Sequence, residues 1–413
     1  MTAHPKTPAR ASQDASERTS AIQASPPRGA TAYAPPLPVL ASVDAATGKP
    51  VRPPSAPTGA TPPPPKRKIA SRGITSKIRP ALLQRVFWVR ALLILDRFRV
   101  VRAIDIAIGC CPERPYKAAL TAAQRAMRGM SKAGLVRRYR TDRHQHVYGL
   151  TTAGARWLQD QGFNASPSIR RVSDMTNPEH RLWMSTLVLA CEARGLAAYS
   201  ESEALQMLNR GRSKALLQGF LKVEISNRTQ VLRPDALARE ADGTTWFEID
   251  RSRRGEERGA ALSALAERIG ATLEDGTALR RVVVFARTER IQQRALAILR
   301  DKARWWADQI LNPDYGRHYR ETAPAEFAVI RAVYAADRRT VEDRCVGHIV
   351  VQLLPTWLPK VRLSESNQAL LAGWFGENYL PYRRPAALSP WPTPLSPLPG
   401  ILRQLEPDSD VGP

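Results

Sequence analysis

The stretch Gly134–Leu158, GLVRRYRTDRHQHVYGLTTAGARWL, decides how the rest of the chain is read. It reads as a strand, a tight polar turn, a second strand running into Leu150-Thr151, and a helix opening at Thr151-Thr152-Ala153-Gly154. Side chains alternate across a strand, so Arg138 and Arg140 share one side and Arg137 and Tyr139 the other. Arg143, His144 and His146 belong to the turn. No Cys or carboxylate cluster lies near the two His, so they are turn residues and not a metal pair.

Upstream, Pro80 starts a helix whose apolar Leu83, Val86, Phe87, Val89, Ala91, Leu92 and Leu95 suit burial. A short helix over Val101–Ile108 follows, closed by Gly109, and Pro115 opens a third from Tyr116 to near Ser131. On the third helix Leu120, Ala123, Met127 and Met130 recur at spacings of three and four, an apolar stripe. Lys117, Thr121, Gln124, Arg125 and Arg128 form the opposite stripe, with side chains of the kind that reach base edges and phosphates in a major groove. Three helices followed by a basic hairpin give a winged-helix domain over residues 79–162, with the third helix in the recognition position. Residues 81–160 hold 15 Lys/Arg against 5 Asp/Glu. That balance makes duplex DNA the expected partner, contacted by Lys117, Thr121, Gln124, Arg125, Arg128, Arg137, Arg138, Arg140 and Arg143.

The whole chain points the same way. Its 413 residues carry a formal charge of +24, which favours a polyanionic partner and salt-dependent binding. Four Cys make neither a disulfide framework nor a CxxC zinc site. The N-terminus lacks the apolar run of a secretory signal, and no stretch of 18 apolar residues exists. These features place the protein in the cytoplasm without a membrane partner. The first 80 residues contain 16 Pro, 12 Lys/Arg, 3 Asp/Glu and a single aromatic, Tyr33. Such a composition cannot bury enough apolar surface to offset ordering entropy, so residues 1–78 are expected to be a disordered basic arm. Residues 381–413 hold nine Pro and are expected to form an irregular tail.

Residues 163–176 read as a linker and 177–380 as an α/β domain. An amphipathic helix spans 177–196, with Asn177 as cap and Pro178 at the first helical position. Strands are expected at Ala197–Ser202, Val231–Arg239, Thr245–Ser252, Arg281–Ala286 and His348–Leu354, and helices at Glu256–Leu273 and Thr288–Ile310. Strands alternating with helices favour a sheet covered on both faces.

Carboxylates sit where these strands end: Glu201 and Glu203, Asp235 after Arg233-Pro234, and Glu248-Ile249-Asp250. A Pro-Asp, a hairpin and an acid–x–residue strand make the layout of a restriction-endonuclease-like, PD-(D/E)xK core. In that core carboxylates gather Mg²⁺ and a Lys helps activate water. Asp235, Glu248, Asp250 and Glu203 are therefore the catalytic candidates, with Asp235 and Glu248 as metal ligands. Here the Lys position holds Asp250, which has the wrong charge, and Arg251 faces the other side of the strand. The same carboxylates can equally pair with Arg233, Arg251 or Arg253. Binding is favoured over catalysis, and no cofactor is expected unless the nuclease alternative brings Mg²⁺.

Together, Tyr148-Gly149-Leu150-Thr151-x-x-Gly154, Glu179-His180-Arg181-Leu182, Arg233-Pro234-Asp235 and Phe247-Glu248-Ile249-Asp250-Arg251 resemble the replication-relaxation family of plasmids and integrative elements. The resemblance covers roughly residues 80–300. It implies a DNA-binding accessory protein of replication or mobilisation. The winged helix would dock on an origin or operator, and the α/β part would support DNA, a relaxase or replication protein, or a second copy of the chain. A metal-dependent DNA endonuclease and a winged-helix transcriptional regulator are the alternatives.

Overall fold

Helix α1, Pro80–Phe98, is the first described element and has proline in its first turn. The computed structural model describes residues 78–141, 146–167, 178–213, 215–225, 227–250, 256–307, 317–334, 341–354 and 380–406. The expected N-terminal arm, up to residue 77, lies outside them, as does most of the expected linker. Helices α2, Ala103–Cys110, and α3, Tyr116–Lys132, follow, then strands β1, Val136–Arg140, and β2, His146–Leu150, and helix α4, Thr152–Asp160.

Two glycines show why the sequence folds this way. Gly109 was expected to end α2, but it lies inside the helix. A Cβ there would stand 2.4 Å from Ile94 Cδ1 and 3.0 Å from Leu189 Cδ2, so its smallness lets α1 and a later helix close on α2. Gly154 sits in the first turn of α4, where a Cβ would lie 2.1 Å from the Leu135 carbonyl oxygen. Thr151 caps that helix: its hydroxyl accepts from Gly154 N at 3.0 Å and lies 2.7 Å from the Gly134 carbonyl oxygen. The Thr-x-x-Gly step thus ties the end of the β1–β2 hairpin to its beginning. The hairpin is antiparallel, with Arg138 opposite Tyr148 and Arg140 opposite His146.

The remainder is a mixed sheet in the order β3-β6-β7-β8-β11-β10-β9. Helix α5, Pro178–Glu192, leads to β3, Ala197–Ser200, and α6, Glu201–Leu208. A separate hairpin, β4, Leu221–Ile225, with β5, Arg228–Leu232, interrupts the sheet. Then come β6, Ala236–Glu240, β7, Gly243–Asp250, α7, Glu256–Glu267, β8, Leu279–Ala286, and α8, Glu289–Ala307. Strands β9, Arg317–Ala323, β10, Glu326–Tyr334, and β11, Val341–Leu353, close the sheet, and α9, Leu398–Leu405, is the last described element. Strands β7, β8 and β11 run parallel, and the outer pairs are antiparallel.

Several expectations change. The strand expected over Val231–Arg239 is two strands in different sheets, broken at Arg233-Pro234-Asp235. Proline has no N–H to give to a ladder, which is why the chain leaves one sheet there and enters the other. Ala197–Ser202 stops at Ser200, because Glu203 accepts from Ser200 N at 2.9 Å and closes a capping box that starts α6. The tail beyond Pro381 is not wholly irregular. Tyr382, Leu398, Ile401 and Leu402 are buried in the core beside α1, and the Tyr382 hydroxyl donates to Glu240 at 2.7 Å.

One apolar core joins α1, α2, α5 and α9 to the sheet face carrying Phe247, Phe285 and Val350. A second lies on the other face, where Trp246, Val282 and Ile349 meet α7, α8 and the β4–β5 hairpin. Between α2 and α5 runs a buried polar lock. Arg102 Nε and Nη2 each lie 3.1 Å from Asp105, whose side chain is fully buried. Arg102 Nη2 also donates to Thr186 Oγ1 at 2.5 Å, and that hydroxyl lies 2.5 Å from Asp105 Oδ1. The guanidinium stacks 5.2 Å over the Trp183 ring. Removing one partner of a buried ion pair leaves an uncompensated charge, so Asp105→Ala is expected to lose about 3–5 kcal/mol of stability. Urea unfolding followed by circular dichroism measures this, and an unchanged midpoint would refute the role given to the lock.

Candidate nucleic-acid interface

Helix α3 is amphipathic as its spacing predicts. Ala119, Ala123, Met127 and Met130 are buried, Leu120 is half-buried, and Lys117, Thr121, Gln124, Arg125 and Arg128 are all exposed. On the hairpin Arg137, Arg138 and Arg140 are exposed, with the Arg137 guanidinium 5.5 Å over the Tyr139 ring. Arg143 and His144 lie outside the described residues, and His146 is exposed at the start of β2. Arg128 Nε lies 3.4 Å from the Gln124 carbonyl oxygen of its own helix. Among the described residues no carboxylate pairs with Lys117, Arg125, Arg128, Arg138 or Arg140. Arginines without a carboxylate partner leave guanidinium donors for an external anion.

A groove of about 560 Å³ separates α3 from the hairpin. Tyr116, Leu120, Gln124 and Arg128 line it from α3, and Arg138, His146 and Tyr148 line it from the hairpin. Burial pushes the Tyr116 hydroxyl up to about 12 against the pull of Arg102, so it stays protonated. Tyr148 is raised for the same reason, with Arg138 and Arg128 opposing. Sequence reading placed Leu120 in the apolar stripe and assigned neither tyrosine to the interface. The four-residue steps from Tyr116 through Leu120 to Gln124 were the available signal.

The strand-end carboxylates are placed differently. Asp235 Oδ1 lies 2.9 Å from His180 Nε2, and Oδ2 accepts from Ile249 N at 2.6 Å. His180, whose role the sequence left open, is therefore the partner of the Pro-Asp carboxylate. Glu203 turns toward Arg97, with Nε–Oε1 at 2.5 Å, and also accepts from the Ser200 hydroxyl at 2.8 Å. Glu201 stands 3.8 Å from Arg233, and Glu248 accepts from the Trp246 indole at 2.6 Å. The Asp250 side chain lies outside the described residues. Among the described residues no three His, Cys, Asp or Glu side chains form a group that could hold a metal ion. The carboxylates brought together by sequence reading are thus held by separate partners, several of them structural.

Burial raises the Glu203 carboxyl, but hydrogen bonds from Arg97 and Ser200 outweigh it and hold it below its ordinary value. A depressed folded value contributes stability that is present above the unfolded value of about 4.3 and lost as pH falls through the folded one. Glu203→Gln should therefore flatten the loss of stability below about pH 4.3, read as melting temperature against pH; an unaltered acid limb would count against this. Asp235→Ala removes the acceptor for Ile249 N–H and His180 and is expected to destabilise by about 1–3 kcal/mol. A double-mutant cycle with His180→Ala should show coupling, and strict additivity would deny the pairing.

Residues 98–267 match the replication-relaxation family, from the end of α1 through α7. The match takes in α3, the hairpin and the His180–Asp235 pair. No curated protein matches the chain, and no solved structure does. Over these residues the chain is similar to the replication-relaxation family.

Proposed function

We propose that this protein is a DNA-binding accessory factor of plasmid or integrative-element replication or mobilisation, and that α1–α3, the β1–β2 hairpin and α4 act as a winged helix that docks on duplex DNA. The family points to a role related to plasmid replication or mobilisation. The observation that carries the DNA reading is the set of exposed Lys117, Arg125 and Arg128 on α3, with Arg128 lining one groove together with Arg138 of the hairpin and no carboxylate paired with them among the described residues. In this reading α3 enters the major groove, where Gln124 and Arg125 suit purine edges and Lys117 and Arg128 suit phosphates. Arg137, Arg138, Arg140 and Arg143 of the hairpin contact the neighbouring backbone or a narrow minor groove. A formal charge of +24 supports strong counterion release on binding.

The order α5, β3, β6, β7, α7, β8 and the Pro234-Asp235 step fit the plan of a restriction-endonuclease-like domain. We read this domain as a scaffold for a relaxase, a replication protein or a second copy. Asp235, Glu203 and Glu248 already serve other partners, and the Lys position is Asp250. The setting proposed for this work is the cytoplasm.

Fluorescence anisotropy with labelled duplex DNA tests the proposal. Binding should weaken steeply with salt, with a slope of about −0.9 for each phosphate contacted. Arg125→Ala and Arg138→Ala should each weaken binding about tenfold, and a phosphate-contacting arginine should lower the salt slope by about 1 on removal. Circular dichroism should stay unchanged. If both variants bind like wild type, α3 and the hairpin are not the DNA reader.

A further inference from the structure

A sugar–phosphate backbone explains the arginines that flank the groove between α3 and the hairpin, but not what lies between them. Tyr116, Leu120 and Tyr148 line a space of about 560 Å³, within the roughly 300–1,000 Å³ range of small-molecule sites. An apolar, aromatic surface gains nothing from phosphate, which is best left hydrated or paired. It does suit a nucleobase, whose flat face stacks on aromatic rings regardless of sequence. The walls supply the rest. Gln124 offers an amide donor and acceptor for a base edge, and Arg128 and Arg138 stand on opposite sides, where the two phosphates flanking such a base would lie. Among the described residues none that lines the groove is acidic.

We propose that this groove receives an unpaired nucleotide, so that the protein prefers DNA with an unstacked base beside the duplex over fully paired DNA. The inference rests on the DNA-binding reading and sharpens it, because it names the DNA structure recognised. A base held inside a duplex cannot reach the groove without unstacking, which costs a few kcal/mol and is least for a base that is already unpaired.

The test uses the full chain and three labelled DNAs of common sequence: a blunt duplex, the same duplex with a single-nucleotide bulge, and one of its strands alone. The bulged duplex should bind about tenfold more tightly than the blunt one at the same salt, in keeping with one base stacked on an aromatic side chain. With 2-aminopurine at the bulge, its fluorescence should fall on binding as the base stacks on a tyrosine. Leu120→Trp, which fills the groove from a half-buried position, should abolish the tenfold preference and the 2-aminopurine signal. Equal affinity for bulged and blunt duplexes overturns this inference and leaves duplex docking standing. Tightest binding to the lone strand also overturns it, since a single strand would then be the substrate. Binding to none of the three overturns the DNA reading itself. The wild-type comparison needs no variant, so an unfolded Leu120→Trp would not shield the proposal.

Discussion

The buried triad of Arg102, Asp105 and Thr186 fixes where everything else sits. Asp105 has no access to water, and its charge is tolerated only because Arg102 meets both of its oxygens. Thr186 joins the pair from α5, so the ion pair spans from the start of α2 to the helix that covers the sheet. Arg97 repeats this a helix away. It reaches Glu192 at the end of α5 and Glu203 at the start of α6, and these carboxylates outweigh the effect of its burial and hold its charge firmly in place. The helical part that offers α3 outward is thus braced on the sheet by charges that cannot be left unpaired. A rigid platform of this kind suits recognition, where a small misplacement of contact side chains would be expensive.

The outward face and the brace use arginine in opposite ways. Arg102 and Arg281 are buried and Arg97 is half-buried, and each is matched by carboxylates. Arg125, Arg128, Arg138 and Arg140 are exposed and have no carboxylate partner among the described residues. Composition alone counts these groups equally, and only their surroundings separate structural charge from charge held ready for an external anion.

Much of the candidate interface was legible in the sequence, because local patterns determine it. The stripe of Ala123, Met127 and Met130 announced α3 and its exposed opposite face. The Thr151-x-x-Gly154 step announced the turn from hairpin to helix, and the structure gives it a cause in the tight approach to Leu135. What the sequence concealed was long-range. The partner of Glu203 lies 106 residues away, and Asp235 meets a histidine on α5. Carboxylates that looked like a metal cluster along the chain each have other partners among the described residues, and no spacing reveals these. Pro234 did signal a break, but a run of strand-forming residues from Val231 masked it. Strands β9 and β10 went unread because their polar and apolar residues alternate only weakly and a bulge shifts the register at Val329. The packed tail was hidden by its proline content, although Tyr382, Ile401 and Leu402 carried the apolar signal.

The account's central claim is that α3 and the β1–β2 hairpin form the surface that meets DNA. Hydrogen exchange of the full chain with and without a saturating duplex reads that surface directly. The account predicts slowed exchange confined to Tyr116–Lys132 and to the hairpin strands Val136–Arg140 and His146–Leu150, with β9 and β10 unaffected. Protection over the sheet or the β4–β5 hairpin, with α3 unchanged, would contradict it and move the DNA to another face of the molecule.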